Sequence, residues 1–146
     1  MVVVDGNYDD AVTQAAAEAE KSGWVRVSDT GWPGYEAVPR YIMAEYTMLM
    51  AEAAEQRLEV PDVIFVQAGV GGLACAVVSW CYWRLGSKRP FIVSCEPTDP
   101  ACVLESMRAG ERVVVNGSLE TIMAGLSCGA VLSAAGLYCV LAWMPM

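Results

Sequence analysis

The apolar run Val63-Ile64-Phe65-Val66, the glycine cluster Ala68-Gly69-Val70-Gly71-Gly72 and the apolar stretch Leu73 to Leu85 follow one another directly. No other feature constrains the fold of this chain as much. An unbroken apolar run of strand length fits a strand covered on both faces, as in a parallel sheet. A parallel strand needs a long crossover to reach its neighbour, and Leu73 to Leu85, closed by Gly86, has the length of a helix. Phe91-Ile92-Val93-Ser94-Cys95 repeats the strand signal and stops at Glu96-Pro97. The segment therefore reads as strand, glycine loop, helix, strand.

The flanks extend the alternation. Val2 to Val4 reads as a strand end before the turn-like Asp5-Gly6-Asn7. Asn7 is placed to cap a helix with Asp9 and Asp10 in its first turn, an apolar stripe of Val12, Ala15, Ala16 and Ala19, and Gly23 just past its end. Trp24 to Ser28 alternates like a strand, and Asp29-Thr30-Gly31-Trp32-Pro33-Gly34 is dense in turn formers. Pro39 suits the first turn of a helix in which Ile42, Tyr46, Leu49 and Ala53 recur at helical spacing. A further helix is expected from about Pro100 to Arg108, and Val113 to Val115 is a candidate strand. The expected architecture is a three-layer α/β/α fold, Rossmann-like, with a mainly parallel sheet and right-handed crossovers.

Composition narrows the chemistry. A formal charge of −8 with nine Lys plus Arg, not clustered on any segment, gives no footprint for a phosphate backbone, so nucleic acid is not an expected partner. The chain has no histidine, which excludes Ser-His and Cys-His catalysis. Its six cysteines lie among apolar neighbours with no C-x-x-C pair, and Met1 to Val4 is too short for a secretory signal core. Reduced, buried thiols in a cytoplasmic protein without a metal site are expected.

The glycine loop is the strongest candidate for chemistry. Backbone amides approach a phosphate only where side chains are absent, and the helix N-terminus adds a favourable dipole. The plain structural reading, a tight turn with close helix packing, stands beside it. Which phosphate is left open, because Gly69-Val70-Gly71-Gly72-Leu73-Ala74 also fits the dinucleotide pattern G-x-G-x-x-A, with Glu96 ending the next strand. Against that reading, two strand-helix units precede the loop and Pro97 has no place in the pattern.

Six stretches occur together in order: Asn7-Tyr8-Asp9-Asp10; Ser28-Asp29-Thr30-Gly31-Trp32 with Gly34-Tyr35; Ile42-Met43; Gln67 to Gly72; Cys95-Glu96-Pro97; and Thr121-Ile122-Met123-Ala124-Gly125-Leu126-Ser127-Cys128-Gly129. In that order they resemble the diaminopropionate ammonia-lyases, pyridoxal-phosphate enzymes of fold type II in the tryptophan synthase beta-like family. The resemblance spans about Val2 to Gly129. It implies a region 1–129 whose backbone from Gly69 through Val70, Gly71 and Gly72 to Leu73 cradles the phosphate of pyridoxal 5'-phosphate. It implies α,β-elimination of 2,3-diaminopropionate to pyruvate and ammonia, with a homodimer as the family assembly. Asp29 matches the family's Asp-Thr-x-Trp carboxylate, which would take the proton from the L-substrate. A carboxylate base is helped by partial desolvation, for which Trp24, Trp32 and Tyr35 are candidates. From spacing alone Asp29 reads sooner as a turn or helix-entry residue, which the motif match balances. Glu96 could face the cofactor but reads sooner as a strand end, and Trp32 and Tyr35 could line the substrate pocket but read sooner as core aromatics.

The resemblance also implies a cofactor-binding lysine in a segment preceding everything present here. Lys21 lies at the end of an expected helix and Lys88 sits in the polar loop Gly86-Ser87-Lys88-Arg89, so both read as solvated surface charges. The isolated chain is therefore expected to be inactive, with a noncatalytic phosphate-binding or subunit-pairing remnant as the alternative. After Gly129 the likeness weakens into a hydrophobic segment, 130–146, although Leu141-Ala142-Trp143 fits again. Thr121 to Met146 carries no charged residue, so a membrane span is admitted by length, but a buried hydrophobic end is the simpler expectation.

Overall fold

The computed structural model describes residues 2–6, 8–32, 34–57 and 59–132. Asn7, Cys139 and the expected hydrophobic segment from 133 onward, including Leu141-Ala142-Trp143, lie outside the described residues.

The central unit is the one the apolar runs dictate. Strand β1 (Val63–Gln67) leads through the glycine loop into helix α3 (Gly72–Leu85), and a 3₁₀ turn, Gly86–Lys88, leads into strand β2 (Phe91–Cys95). The strands pair in parallel, from Val63 opposite Phe91 to Gln67 opposite Cys95. Two helices precede the unit, α1 (Tyr8–Ser22) and α2 (Ala37–Gln56), and α4 (Cys102–Ala109) follows. The chain is thus α/β with a parallel sheet, as its pattern predicts.

Local stops behave as their residues require. After α1, Gly23 takes φ +66°. The Trp24 N–H reaches the Ala19 carbonyl at 2.9 Å and the Gly23 N–H the Glu20 carbonyl at 3.4 Å. Those paired bonds form a Schellman motif, which satisfies the last carbonyls of the helix. Pro39 sits buried in the first turn of α2, where a missing N–H costs nothing. The stripe expected on α2 is rotated: Met50 is buried while Leu49 is exposed.

Helix α3 packs on α2 and on β1. Together with α4 they enclose a core of Met50, Val66, Ala68, Ala74, Val77, Cys81, Cys102, Val103 and Val131. On β1 only the face carrying Val66 is buried. Its other face exposes Phe65, and the paired β2 exposes Phe91, at 71% and 72% of their surface. The expectation of a strand covered on both faces is corrected here: among the described residues no layer lies over Val63, Phe65 and Phe91.

Other expected strands do not form. Trp24 to Ser28 makes no ladder, and Trp24, Val25 and Val27 are exposed. Val2 and Val3 are likewise exposed and unpaired into any strand. Val113 to Val115 contributes a single antiparallel bridge, Val114 to Ala130. Alternation marks a strand only where the segment reaches a sheet edge, and none of these segments pairs with the open edges of β1 or β2, which bond to each other alone. Ala130 to Leu132 joins the body through that bridge, and Val131 and Leu132 are buried. No described helix is long and apolar enough to cross a membrane.

Candidate functional site

At the carboxyl end of β1 lies an open cavity of about 370 Å³, the place where parallel sheets bind ligands. Gln67 to Leu73 forms one wall, and Asp29 and Thr30 another. Tyr8 at the start of α1, Ile42, Met43 and Tyr46 on α2, and Ala124 to Cys128 complete it. The cavity therefore brings Asp29 together with Gly69, Val70, Gly71, Gly72 and Leu73. Glu96, Trp24, Trp32 and Tyr35 are not among its walls.

The glycine loop is held from behind. The Cys102 thiol donates to the Gly69 carbonyl at 3.4 Å, the Leu132 N–H to the Val70 carbonyl at 2.8 Å, and the Cys75 N–H to the Gly71 carbonyl at 2.9 Å. All three donor residues are buried. In a trans peptide the N–H points opposite to its carbonyl, and no described peptide bond is cis. The Val70, Gly71 and Gly72 N–H groups are thereby turned away from those buried donors. The first amides of α3 also have no carbonyl one turn earlier within the helix to accept them.

Backbone conformation requires one glycine of the loop, and a close approach bears on another. Gly71 precedes α3 at φ +92°, a left-handed conformation that side chains resist. A Cβ added at Gly69 would lie 3.3 Å from the Cys128 Sγ and 3.4 Å from the Gly125 carbonyl oxygen, so the loop and the 124–128 segment approach closely. This backbone cradle, open on one side and backed by a helix N-terminus, fits the phosphate end of pyridoxal phosphate.

Asp29 is exposed and accepts a 3.3 Å hydrogen bond from the Thr30 hydroxyl. The turn bond that spacing suggested for Asp29 belongs to its neighbour, since Ser28 Oγ accepts from the Thr30 N–H at 3.2 Å. The expected desolvation by aromatics is corrected. Trp24 is 69% exposed, and Trp32 and Tyr35 stack on each other with centroids 4.2 Å apart.

Glu96 has a structural task. Its two carboxylate oxygens accept the Val103 and Leu104 N–H groups, each at 2.8 Å, capping α4 from the end of β2. Burial pushes its carboxyl above the usual range, outweighing the lowering by those two N–H donors, and the Glu105 charge adds to the rise. Glu96 is committed to the start of α4 and does not line the cavity beside the glycine loop, which removes the main support for a dinucleotide site. Burial above all, then the Glu96 and Cys128 charges, push the Cys102 thiol up to about 12, so it serves here as a neutral donor. Lys21 and Lys88 are exposed and neither lines the cavity.

Sequence reasoning gave no site role to Tyr8, Ile42, Met43, Tyr46 or the 124–128 segment. Four of these places fall in the stretches that carry the family likeness, which was the available signal; Tyr46 had none beyond helical spacing.

The diaminopropionate ammonia-lyase of Salmonella typhimurium is 41% identical over 133 residues, covering 87% of this chain and 33% of that protein. Its Escherichia coli counterpart is 38% identical over 131 residues, with 88% and 33% covered. The crystal structure of the selenomethionine holo form of the E. coli enzyme superposes with a TM-score of 0.86 at 34% identity, over 95% of this chain and 35% of that one. The same enzyme in complex with an aminoacrylate-PLP azomethine reaction intermediate gives 0.84 at 34% identity, over 96% and 35%. The chain spans about a third of the length of these relatives. A tomato threonine deaminase, 22% identical with a TM-score of 0.77, shares the fold. The sequence profile of the family described as "Pyridoxal-phosphate dependent enzyme" matches residues 1–140, and the chain belongs to that family.

Proposed function

We propose that this chain is the phosphate-cradling and proton-accepting part of an ammonia-lyase acting on 2,3-diaminopropionate, with pyridoxal 5'-phosphate as cofactor. One observation carries the reading: a loop whose carbonyls are drawn to buried donors, so that its amides are left for the cavity that Asp29 also lines. The backbone of Gly69, Val70, Gly71, Gly72 and Leu73 would hold the phosphate, aided by the N-terminal dipole of α3. When bound, the cofactor supplies an electron sink for charge at the substrate Cα.

Asp29 accepts the Cα proton, its side chain standing on the cavity wall across from the glycine loop. Thr30 holds one carboxylate oxygen by its hydroxyl, which leaves the other oxygen for the substrate. Loss of the β-amine then completes the α,β-elimination, giving pyruvate and ammonia after hydrolysis. Lys21 and Lys88, both exposed and off the cavity, offer no covalent anchor, which supports an isolated chain that does not turn over by itself. Residues 1–129 form the cofactor-binding region in this reading, and Ala130 to Leu132, expected to belong to a divergent ending, are packed into it. A second copy of the chain is the proposed partner. The unbridged thiols of Cys81, Cys95 and Cys102 favour a reducing compartment, the cytoplasm.

The test uses solvent exchange at the substrate. Pyridoxal phosphate, L-2,3-diaminopropionate and the chain are mixed in deuterated water, and loss of the Cα proton signal is followed by NMR. The chain should accelerate exchange over cofactor alone, and Asp29→Asn should abolish the gain. Equal rates with and without the chain would refute the assignment.

A further inference from the structure

Asp29 sits on a stretch without helix or strand, yet it is aimed at a defined cavity wall, so something must hold it there. We propose that Tyr35 is the positioning residue for Asp29, its hydroxyl buckling the 26–35 loop so that the Asp29-Thr30 tip faces the cavity. The proposal rests on the reading of Asp29 as the proton acceptor.

The buckle is made at one oxygen. The Tyr35 hydroxyl donates to the Arg26 carbonyl at 2.9 Å and accepts the Ser28 N–H at 2.9 Å, so one side chain ties two points of the incoming half of the loop. The returning half is turned by the Trp32 to Tyr35 bridge, with the Tyr35 N–H on the Trp32 carbonyl at 2.9 Å. The ring is held as well. It stacks on Trp32 at an interplanar angle of 11°, and the Arg26 guanidinium lies 4.1 Å from the Trp32 centroid and 5.7 Å from that of Tyr35. Stacked rings with a cation over them resist rotation, so the hydroxyl keeps its place.

From that anchor the constraint runs to the tip. Ser28, fixed by its N–H, offers Oγ to the Thr30 N–H, and the Thr30 hydroxyl reaches Asp29 Oδ1. Tyr8 lies 3.4 Å from the same Thr30 hydroxyl, on the cavity side. Gly31 closes the tip against the body, where an added Cβ would stand 3.1 Å from Leu132 Cδ1. Every link between Tyr35 and Asp29 is a hydrogen bond within a few residues. Arg26 also joins the incoming and returning halves by lying over the rings, but the Tyr35 hydroxyl is what fixes the Ser28 N–H that begins the path to the tip. A ring without the hydroxyl would keep the stack and lose the tie.

The experiment uses the full chain, isotope-labelled, with pyridoxal phosphate as the probe. In the unaltered chain the amides of the glycine loop and those of Asp29 and Thr30 should both shift on titration. In Tyr35→Phe the Ser28 amide should exchange with solvent roughly tenfold faster, the scale of one lost hydrogen bond. The Asp29 and Thr30 response should vanish while the glycine-loop response and its midpoint stay within about twofold, a split that general destabilisation would not produce. An unchanged Ser28 exchange rate, or an unchanged Asp29 and Thr30 response, would overturn the role of Tyr35. A wild-type titration that moves the glycine loop but never Asp29 or Thr30 would instead sink the Asp29 reading, and the role of Tyr35 with it. Should Tyr35→Phe not fold, the unaltered chain decides: a Ser28 amide exchanging as fast as a free amide rejects the buckle, and protection by about tenfold upholds it.

Discussion

Gly71→Ala separates backbone geometry from packing at the heart of the site. Gly71 adopts φ +92°, and a Cβ there would meet Val103 Cγ2 at 3.7 Å and Val131 Cγ1 at 3.8 Å, both ordinary contacts. Space is therefore not the obstacle, and the cost is conformational. A left-handed backbone costs an L-residue about 1–2 kcal/mol. For a domain of this size that corresponds to a fall in Tm of about 2–8 °C. Relaxation of the strain would rotate the peptide joining Gly71 to Gly72, whose amide is one of those turned from the buried donors. Losing one charge-assisted bond of about 1.5–3 kcal/mol should weaken pyridoxal phosphate binding by about 10- to 100-fold. The control is Gly125→Ala, on the opposite wall, where an added Cβ meets nothing within 4 Å and φ is not positive. Its stability should stay within about 0.5 kcal/mol of the unaltered chain. Thermal unfolding and calorimetric titration read both quantities. If Gly71→Ala melts and binds like Gly125→Ala, the argument that the left-handed turn shapes the cradle is wrong.

Further outcomes follow from the packing and the titrating groups. Gly129→Ala puts a Cβ 2.7 Å from the Val115 carbonyl oxygen, part of a backbone that bonds Gly129 in return, and should cost about 1–3 kcal/mol in denaturant unfolding. Burial raises the Glu96 carboxyl in the folded chain, so the folded form keeps its proton to higher pH than the unfolded form. The stability it contributes is complete below the unfolded carboxylate pKa and is lost as pH rises through the raised folded value. Glu96→Gln should remove that downward slope from a plot of stability against pH, and an unchanged slope would refute the assignment. Cys102, fully buried and pushed up to about 12, should resist alkylation at neutral pH while exposed Cys95 reacts, as read by mass spectrometry of the labelled chain.

The unit from Val63 to Cys95 was legible because each of its signals is local. An apolar run, a glycine cluster and a helix-length apolar stretch permit few folds, and β1, α3 and β2 fall where they predict. Trp24 to Ser28 shows the limit of that reasoning, since alternation describes a side-chain pattern and says nothing about whether a neighbouring edge exists. The exposed faces of Phe65 and Phe91 are the same lesson, because burial depends on a layer the run itself does not encode.

The candidate site was legible in part. Gly69 to Leu73 and Asp29 were visible as residue types in suggestive places, and they share one cavity. What fixes them was hidden by sequence separation: Cys102 lies 33 residues from the Gly69 carbonyl it bonds, and Glu96 caps a helix that begins after an intervening turn. Tyr35 read as a core aromatic, yet its hydroxyl serves the loop.

The central claim is that the main-chain N–H groups around Gly71 bind the phosphate of pyridoxal phosphate. The most direct measurement is a titration of the labelled chain followed at individual backbone amides, with inorganic phosphate and a nicotinamide dinucleotide run alongside. Saturable shifts centred on Val70, Gly71, Gly72 and Leu73, tighter for pyridoxal phosphate than for inorganic phosphate, are the predicted result. Amides that stay still with pyridoxal phosphate, or that move only with the dinucleotide, would contradict it.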